Sequence, residues 1–179
     1  MKALFLDRDG VVIENRSAYV RSWADVSIYD QAVEALRLAA PHFKLVVVTN
    51  QSAVGRGIIS IETAQEINRR LADVLRERGV HLDGVYMCPH APELRCACRK
   101  PQPGLLLQAA RELSLDLAHS VMVGDALSDL AAGRAAGVAR GLLVLTGRGL
   151  EQAAEPAAGL APGDIFPDLH SAVLSLLHA

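Results

Sequence analysis

The chain has 179 residues, 51% of them hydrophobic and 21% charged, which suits one soluble domain with a core of its own. Its net charge of −2 and 4% aromatic content supply neither a basic field nor stacking platforms, so no nucleic-acid partner is expected. No apolar run nears the roughly 18–20 residues of a membrane helix, and Asp7 and Asp9 come too early for a signal-peptide core. The expectation is therefore a cytoplasmic protein without membrane contact.

In chain order, the predicted elements alternate between strand and helix. Ala3–Leu6 is a short apolar strand that stops at Asp7, and a helical pattern follows from Asp30 to Ala40. The run Lys44–Thr49 is a second strand, ending in Asn50, Gln51 and Ser52, and Ile61–Arg78 is a helix stopped by Gly79. Gly84–Cys88 is a third strand, Pro103–Leu113 a helix opened by its proline, and Ser120–Gly124 a fourth strand ending at Asp125. A helix over Leu127–Ala136, stopped by Gly137, leads to a fifth strand, Gly141–Leu145. The Gly-, Pro- and Ala-rich stretch Gly147–Pro167 reads as a loop, and about Asp168 to Leu177 as a terminal helix. Strands this uniformly apolar belong to a parallel sheet covered on both faces, which makes the fold a doubly wound, Rossmann-like α/β sheet of one domain over residues 1–179. In such sheets ligands sit beyond the carboxyl ends of the strands, where every polar cluster just named falls.

Asp7 and Asp9, two residues apart, leave the first strand end toward the same side. Such a pair can divide the labour of phosphoryl transfer, one carboxylate attacking phosphorus and the other giving a proton to the leaving oxygen. Adjacent carboxylates also suit Mg²⁺, and Asp125 supplies a further acid. Alone, an Asp-x-Asp pair before Gly10 also fits a solvated turn. Thr49 as a hydroxyl donor, Lys100 as a fixed cation, and Asp125 with Asp129 favour chemistry, because phosphoryl transfer mainly needs donors and cations around the moving group. Asp129, one turn after Asp125, is a candidate for holding a metal-bound water or orienting Lys100, and equally fits plain charge complementarity at a helix N-terminus.

All three cysteines, Cys88, Cys96 and Cys98, fall with His90 within eleven positions. Two pairs of thiolate and imidazole ligands separated by five residues make a closed tetrahedral zinc set, which shapes a loop and leaves no open position for water. That zinc loop, 88–98, would hold Arg99 and Lys100 at the rim of the phosphate site.

Together, Asp7-Arg-Asp-Gly10, Thr49, Lys100 and Gly124-Asp125-Ala-Leu-Ser-Asp129 resemble the four motifs of the haloacid dehalogenase superfamily. Only 39 residues separate Asp9 from Thr49 and 50 separate Thr49 from Lys100, too few for a cap domain. Cys-Pro-His and Cys-x-Cys-Arg-Lys-Pro, with Thr49-Asn-Gln-Ser52 and Arg56-Gly57, are similar to its capless histidinol-phosphate and heptose-bisphosphate phosphatase subfamily. The resemblance implies Asp7 as nucleophile and Asp9 as general acid, then base. It implies Mg²⁺ held by the carboxylates of Asp7 and Asp125 and by the Asp9 backbone carbonyl, with Thr49 and Lys100 stabilising the phosphoryl group. Asn50, Gln51, Ser52, Arg56 and Arg99 would bind substrate, joined by the flap residues Arg16, Ser17, Ala18 and Tyr19. The implied substrate is a small sugar phosphate, a heptose 1,7-bisphosphate losing its C7 phosphate for nucleotide-heptose and lipopolysaccharide core synthesis, with histidinol phosphate the alternative. A non-catalytic, zinc-stabilised phospholigand-binding module is a further alternative, disfavoured by the second carboxylate. The planar fork of Arg99 suits a distal phosphate, and Ala126 stands where subfamily members often carry a cation. Trp23 is expected to pack, the remaining histidines to lie on the surface, and the chain to be a monomer.

Overall fold

Alternation within the strands decides the architecture. In the computed structural model, which describes residues 1–155 and 160–178, β1 (Ala3–Leu6) points Leu4 and Leu6 to one face and Ala3 and Phe5 to the other. After a 3₁₀ turn at Trp23–Asp25 come α1 (Asp30–Ala39), β2 (Lys44–Asn50), the short α2 (Ser52–Gly55), α3 (Ile61–Glu77) and β3 (Gly84–Cys88). There follow α4 (Gly104–Leu113), β4 (Val121–Gly124), α5 (Leu127–Ala136), β5 (Arg140–Val144), α6 (Gly149–Ala153), β6 (Ile165–Phe166) and α7 (Leu169–Leu177). The six strands form one all-parallel sheet in the order β3-β2-β1-β4-β5-β6.

Each face of that sheet buries its own cluster. Leu4, Leu6, Leu45, Val47, Val123, Leu142 and Val144 meet the apolar stripes of α1, α3 and α7. Phe5, Val46, Val48 and Met122 meet Leu105, Leu106 and Ala109 of α4 and Ala132 of α5. At about 25 cal/mol per Å² of apolar surface, burial on both faces is what favours a sheet with no solvated side. Local signals set the helix limits: Ser60 Oγ accepts the Thr63 N–H at the start of α3, and Gly137 ends α5 with φ +86°.

The chain order explains where the site lies. From β1 the strands proceed outward to β3, then the chain returns to the other side of β1 for β4, so the order reverses beside β1 and opens a crevice at its C-terminal end. Asp7 and Asp125 follow the two strands flanking that crevice. Between Asp9 and Thr49 stand only the 3₁₀ turn, α1 and most of β2, and between Thr49 and Lys100 only α2, α3, β3 and the cysteine loop with its own 3₁₀ turn, so no cap interrupts the fold.

Three local readings change. The stretch expected to be all loop, 147–167, contains α6 and a sixth strand whose two residues pair with Leu143 and Val144, while positions 156–159 of that expectation lie outside the described residues. A two-residue strand between Pro162-Gly163 and Pro167 has no period to read. Helix α4 begins at Gly104 with Pro103 as its N-cap, and α2 is a turn of helix that the polar sequence after Thr49 did not announce.

Candidate active site

Three acids and one lysine meet in the crevice with almost no access to water. Lys100, 3% exposed, donates to Asp7 Oδ1 at 2.8 Å and to the Val48 carbonyl at 2.7 Å, and pairs with Asp129 Oδ1 at 2.7 Å. Asp7 Oδ1 also accepts the Arg8 backbone N–H at 2.8 Å. Burial pushes the Asp7 carboxyl up to about 7; Lys100 opposes the shift, and the negative charges of Asp129, Asp125 and Asp9 add to it. For Lys100, burial disfavours the ammonium, but Asp129 and Asp7 outweigh it and keep the lysine charged. The buried Lys100 ammonium and the half-exposed Arg148 guanidinium, 3.6 Å from Asp125 Oδ1, thus face three buried carboxylates, so the cluster is still short of positive charge.

That deficit and its geometry fit a divalent cation. Asp125, raised first by burial, has Oδ1 buried with no hydrogen-bond partner, while its Oδ2 accepts the Arg148 N–H at 2.8 Å. Carboxylate oxygens of Asp7, Asp125 and Asp129 all lie within 4.8 Å of one another. Asp129 spends both oxygens, Oδ1 on Lys100 and Oδ2 on the Ala126 N–H at 3.0 Å, so Asp7 and Asp125 are the two with oxygen to offer. A set of hard oxygens is the donor type Mg²⁺ takes. Two glycines make the room: a Cβ on Gly10 or Gly147 would fall 2.1 or 2.3 Å from Asp125 Oδ2.

Asp9 stands beside this cluster, half-buried and held by three N–H donors. Arg8 Nε and Nη2 reach its two oxygens at 3.0 and 3.2 Å, and Gln51 Nε2 reaches Oδ2 at 3.0 Å while also donating to Thr49 Oγ1 at 2.8 Å. Asn50 exchanges two hydrogen bonds with the Lys100 backbone, both 3.1 Å, and so ties the end of β2 to the lysine loop.

A cavity of about 500 Å³ opens over these groups. Of the expected substrate contacts it brings together Arg16, Ser17, Tyr19, Asn50, Gln51, Ser52 and Arg99, beside Asp7, Asp9 and Lys100. It leaves out two. Arg56 turns to Glu93 at 3.5 Å on the exposed outer side of the cysteine loop, and Ala18 does not reach the lining. Thr49 is fully buried, its hydroxyl reached through Gln51. The flap is braced by Asp25, whose carboxylate accepts the N–H groups of Arg21 and Ser22, while its carbonyl accepts from Arg16 Nε at 3.0 Å. Trp23 packs on the main core cluster and under Arg70, 4.8 Å from its ring centre.

The cysteine loop leaves β3 at the same sheet edge. Sulfur atoms of Cys88, Cys96 and Cys98 lie 3.2 to 3.5 Å apart, and His90 Nδ1 lies 3.5 Å from Cys88 and 3.3 Å from Cys98. A Zn–S bond of about 2.3 Å implies tetrahedral edges of roughly 3.8 Å, so the four donors already stand close to a zinc polyhedron. Neighbouring structure depends on the loop: Arg99 Nη1 donates to the His90 carbonyl at 3.3 Å, and the Gln51 N–H donates to the Cys88 carbonyl at 2.7 Å.

Sequence reasoning missed Arg8, Asn68 and Arg148. Arg8 is 1% exposed although it sits between two aspartates, and its Nη1 donates to Asn68 Oδ1 at 2.7 Å. A signal existed for Asn68, a polar residue on the buried stripe Ala64, Ile67, Asn68, Leu71, Leu75 of α3. Arg148 lines the cavity with its guanidinium 3.6 Å from Asp125 Oδ1, and its place after Gly147 in a loop gave no hint.

The chain is similar in sequence and fold to known proteins. A HAD-hydrolase-like family model matches residues 97–172. The D-glycero-beta-D-manno-heptose-1,7-bisphosphate 7-phosphatase of Photorhabdus laumondii subsp. laumondii is 42% identical over 166 residues, 88% of either chain. The enzyme of the same name from Escherichia coli (strain K12) is 42% identical over 164 residues, 87% of this chain and 85% of its own. Among solved structures, the D,D-heptose 1,7-bisphosphate phosphatase of B. bronchiseptica, complexed with magnesium and phosphate, matches with TM-score 0.90 and 37% identity over 99% of both chains.

Proposed function

Because the chain belongs to the family of D-glycero-beta-D-manno-heptose-1,7-bisphosphate 7-phosphatases among the HAD-like hydrolases, we infer that it removes the C7 phosphate of a heptose 1,7-bisphosphate through a covalent intermediate on Asp7. The observation that carries the reading is the buried Lys100, locked between Asp7 and Asp129 beside an Asp125 whose Oδ1 accepts no hydrogen bond. A binding module would have no use for a desolvated carboxylate beside an anion. A nucleophile requires it.

Asp7, Asp125 and the Asp9 carbonyl would hold Mg²⁺, which would supply positive charge for the phosphoryl oxygens. The residues supply the rest. The free oxygen of Asp7 attacks phosphorus in line, the bond to the C7 oxygen breaks, and that oxygen takes the proton of Asp9. Asp9, now a carboxylate, takes a proton from a water whose oxygen attacks the aspartyl-phosphate, releasing inorganic phosphate and restoring both acids. Lys100 and the N–H of Arg8 both donate to Asp7 Oδ1 and keep the carboxylate in register, while Thr49 stands at the end of the neighbouring β2. Such fixed charge and donors are what phosphoryl transfer needs.

The second phosphate of the substrate favours this reading over histidinol phosphate. Arg16, Arg99 and Arg148 stand around the cavity, whereas Glu93, the residue suited to a substrate amine, faces Arg56 outside it. The four-donor loop fits zinc as a structural ion that holds Arg99 in place. Among the described residues no helix is long and apolar enough to cross a membrane. Phosphate release from heptose 1,7-bisphosphate and histidinol phosphate, compared at equal concentration with and without Mg²⁺, tests the phosphatase reading. A strong preference for the bisphosphate is expected, and equal or reversed rates would overturn the substrate assignment.

A further inference from the structure

We propose that Asn68, on α3 and outside the cavity, is a positioning residue that sets the direction of the Asp9 carboxylate through the buried guanidinium of Arg8; the inference rests on the phosphatase reading above. Arg8 is 1% exposed and does not line the cavity, so it is not a contact for substrate. Its planar fork is used at both ends. Nε and Nη2 take the two oxygens of Asp9 at 3.0 and 3.2 Å, and Nη1 takes Asn68 Oδ1 at 2.7 Å. Asn68 is itself only 7% exposed, with its amide nitrogen 3.6 Å from Met87 Sδ. It sits on a helix fixed in the core by Ile67, Leu71 and Leu75.

A bidentate Arg–carboxylate pair fixes the two groups in one plane but not where that plane lies. The third anchor does. Without the Asn68 acceptor, Arg8 Nη1 becomes a buried donor with no partner, and the guanidinium turns toward another acceptor, carrying Asp9 with it. A displacement of about 1 Å in a group that transfers a proton can lower the rate about a hundredfold. Gln51 also donates to Asp9 Oδ2, at 3.0 Å, so loss of Asn68 tilts the carboxylate rather than releasing it. The effect belongs in kcat, where the C7 oxygen must be protonated, and not in KM.

The test uses the full chain loaded with zinc and Mg²⁺, comparing wild type with Asn68→Ala, Asn68→Leu and Asn68→Asp. The first two remove the acceptor with different losses of packing; the third keeps an oxygen for Arg8. Expected are a kcat on the sugar bisphosphate about 10- to 100-fold lower in both acceptor-free variants, KM within about twofold, and recovery to within about threefold in Asn68→Asp. In single turnovers with a series of aryl phosphates, the loss should shrink as the leaving group improves, because good leaving groups need little proton donation. An equal loss across that series, or lowered thermal stability with unchanged kcat in the acceptor-free variants, would overturn the proposal. A wild type that releases phosphate from no ester would instead sink the underlying reading.

Discussion

Two polar clusters share the C-terminal edge of one sheet and are assembled in opposite ways. The cysteine cluster comes from eleven consecutive positions, Cys88 to Cys98, and its donors face one another inside a single loop. The carboxylate cluster gathers Asp7, Lys100, Asp125 and Asp129 from the end of β1, the stretch after the cysteine loop, the end of β4 and the first turn of α5, and exists only once the parallel sheet has formed. The difference teaches that the loop carries its own specification and one end of the catalytic machinery besides, since Arg99 and Lys100 follow Cys98 directly. Local cost and distant consequence are therefore expected from the first cluster, and pure loss of chemistry from the second.

The largest effect falls on the distributed cluster. Asp7→Asn should lower turnover by at least about 10⁴-fold, since an amide oxygen does not form the acyl-phosphate. Circular dichroism and zinc content should be unchanged, and retained turnover would refute the nucleophile. Next comes the local cluster: Cys98→Ser, or zinc removal by a chelator, should lower Tm by roughly 5–10 °C, as expected for a few kcal/mol in a domain this size. It should also lower kcat/KM, because Arg99 and Lys100 lose their support; a full metal-free activity at wild-type Tm would separate the two clusters. Arg99→Ala should reduce the preference for bisphosphate over a sugar monophosphate by about tenfold, read from kcat/KM for each.

A pH experiment sharpens the contrast further. Burial raises Asp7 to about 7 in the metal-free fold, so the stability linked to that group is complete at acid pH and is lost as pH climbs toward and through about 7. Mg²⁺ takes the place of the proton, so it should raise Tm more at pH 8 than at pH 5, as thermal melts with and without the ion would show. A larger effect at pH 5 would contradict the buried-carboxylate account. The smallest change is expected at the flap: Arg70→Ala removes the cation over Trp23, worth about 0.5–1 kcal/mol, and should raise KM slightly with kcat unchanged.

The contrast also explains what could be read from the sequence. The first four apolar strands run into polar or ligating residues, so Asp7, Thr49, Cys88 and Asp125 are legible as a shared edge, and the zinc set is legible from spacing alone. What was not legible depends on partners far along the chain. Nothing around Arg8 in the sequence points to its buried acceptor Asn68, 60 positions away. Arg56 reads as a pocket cation, but α2 and the cysteine loop turn it outward to Glu93. Arg148 enters the site only because Gly147 lets the chain pass against Asp125. The fate of a charge is a tertiary fact, whereas an apolar run carries its own instructions.

The most direct test of the central claim is to trap the intermediate. Wild-type enzyme with Mg²⁺ and excess heptose 1,7-bisphosphate would be quenched in acid within one turnover, reduced with borohydride and mapped by mass spectrometry. Reduction of an aspartyl-phosphate to homoserine at position 7, absent from Asp7→Asn, is the predicted result. Homoserine at another aspartate, or full phosphate release with no modified residue, would contradict the assignment of Asp7.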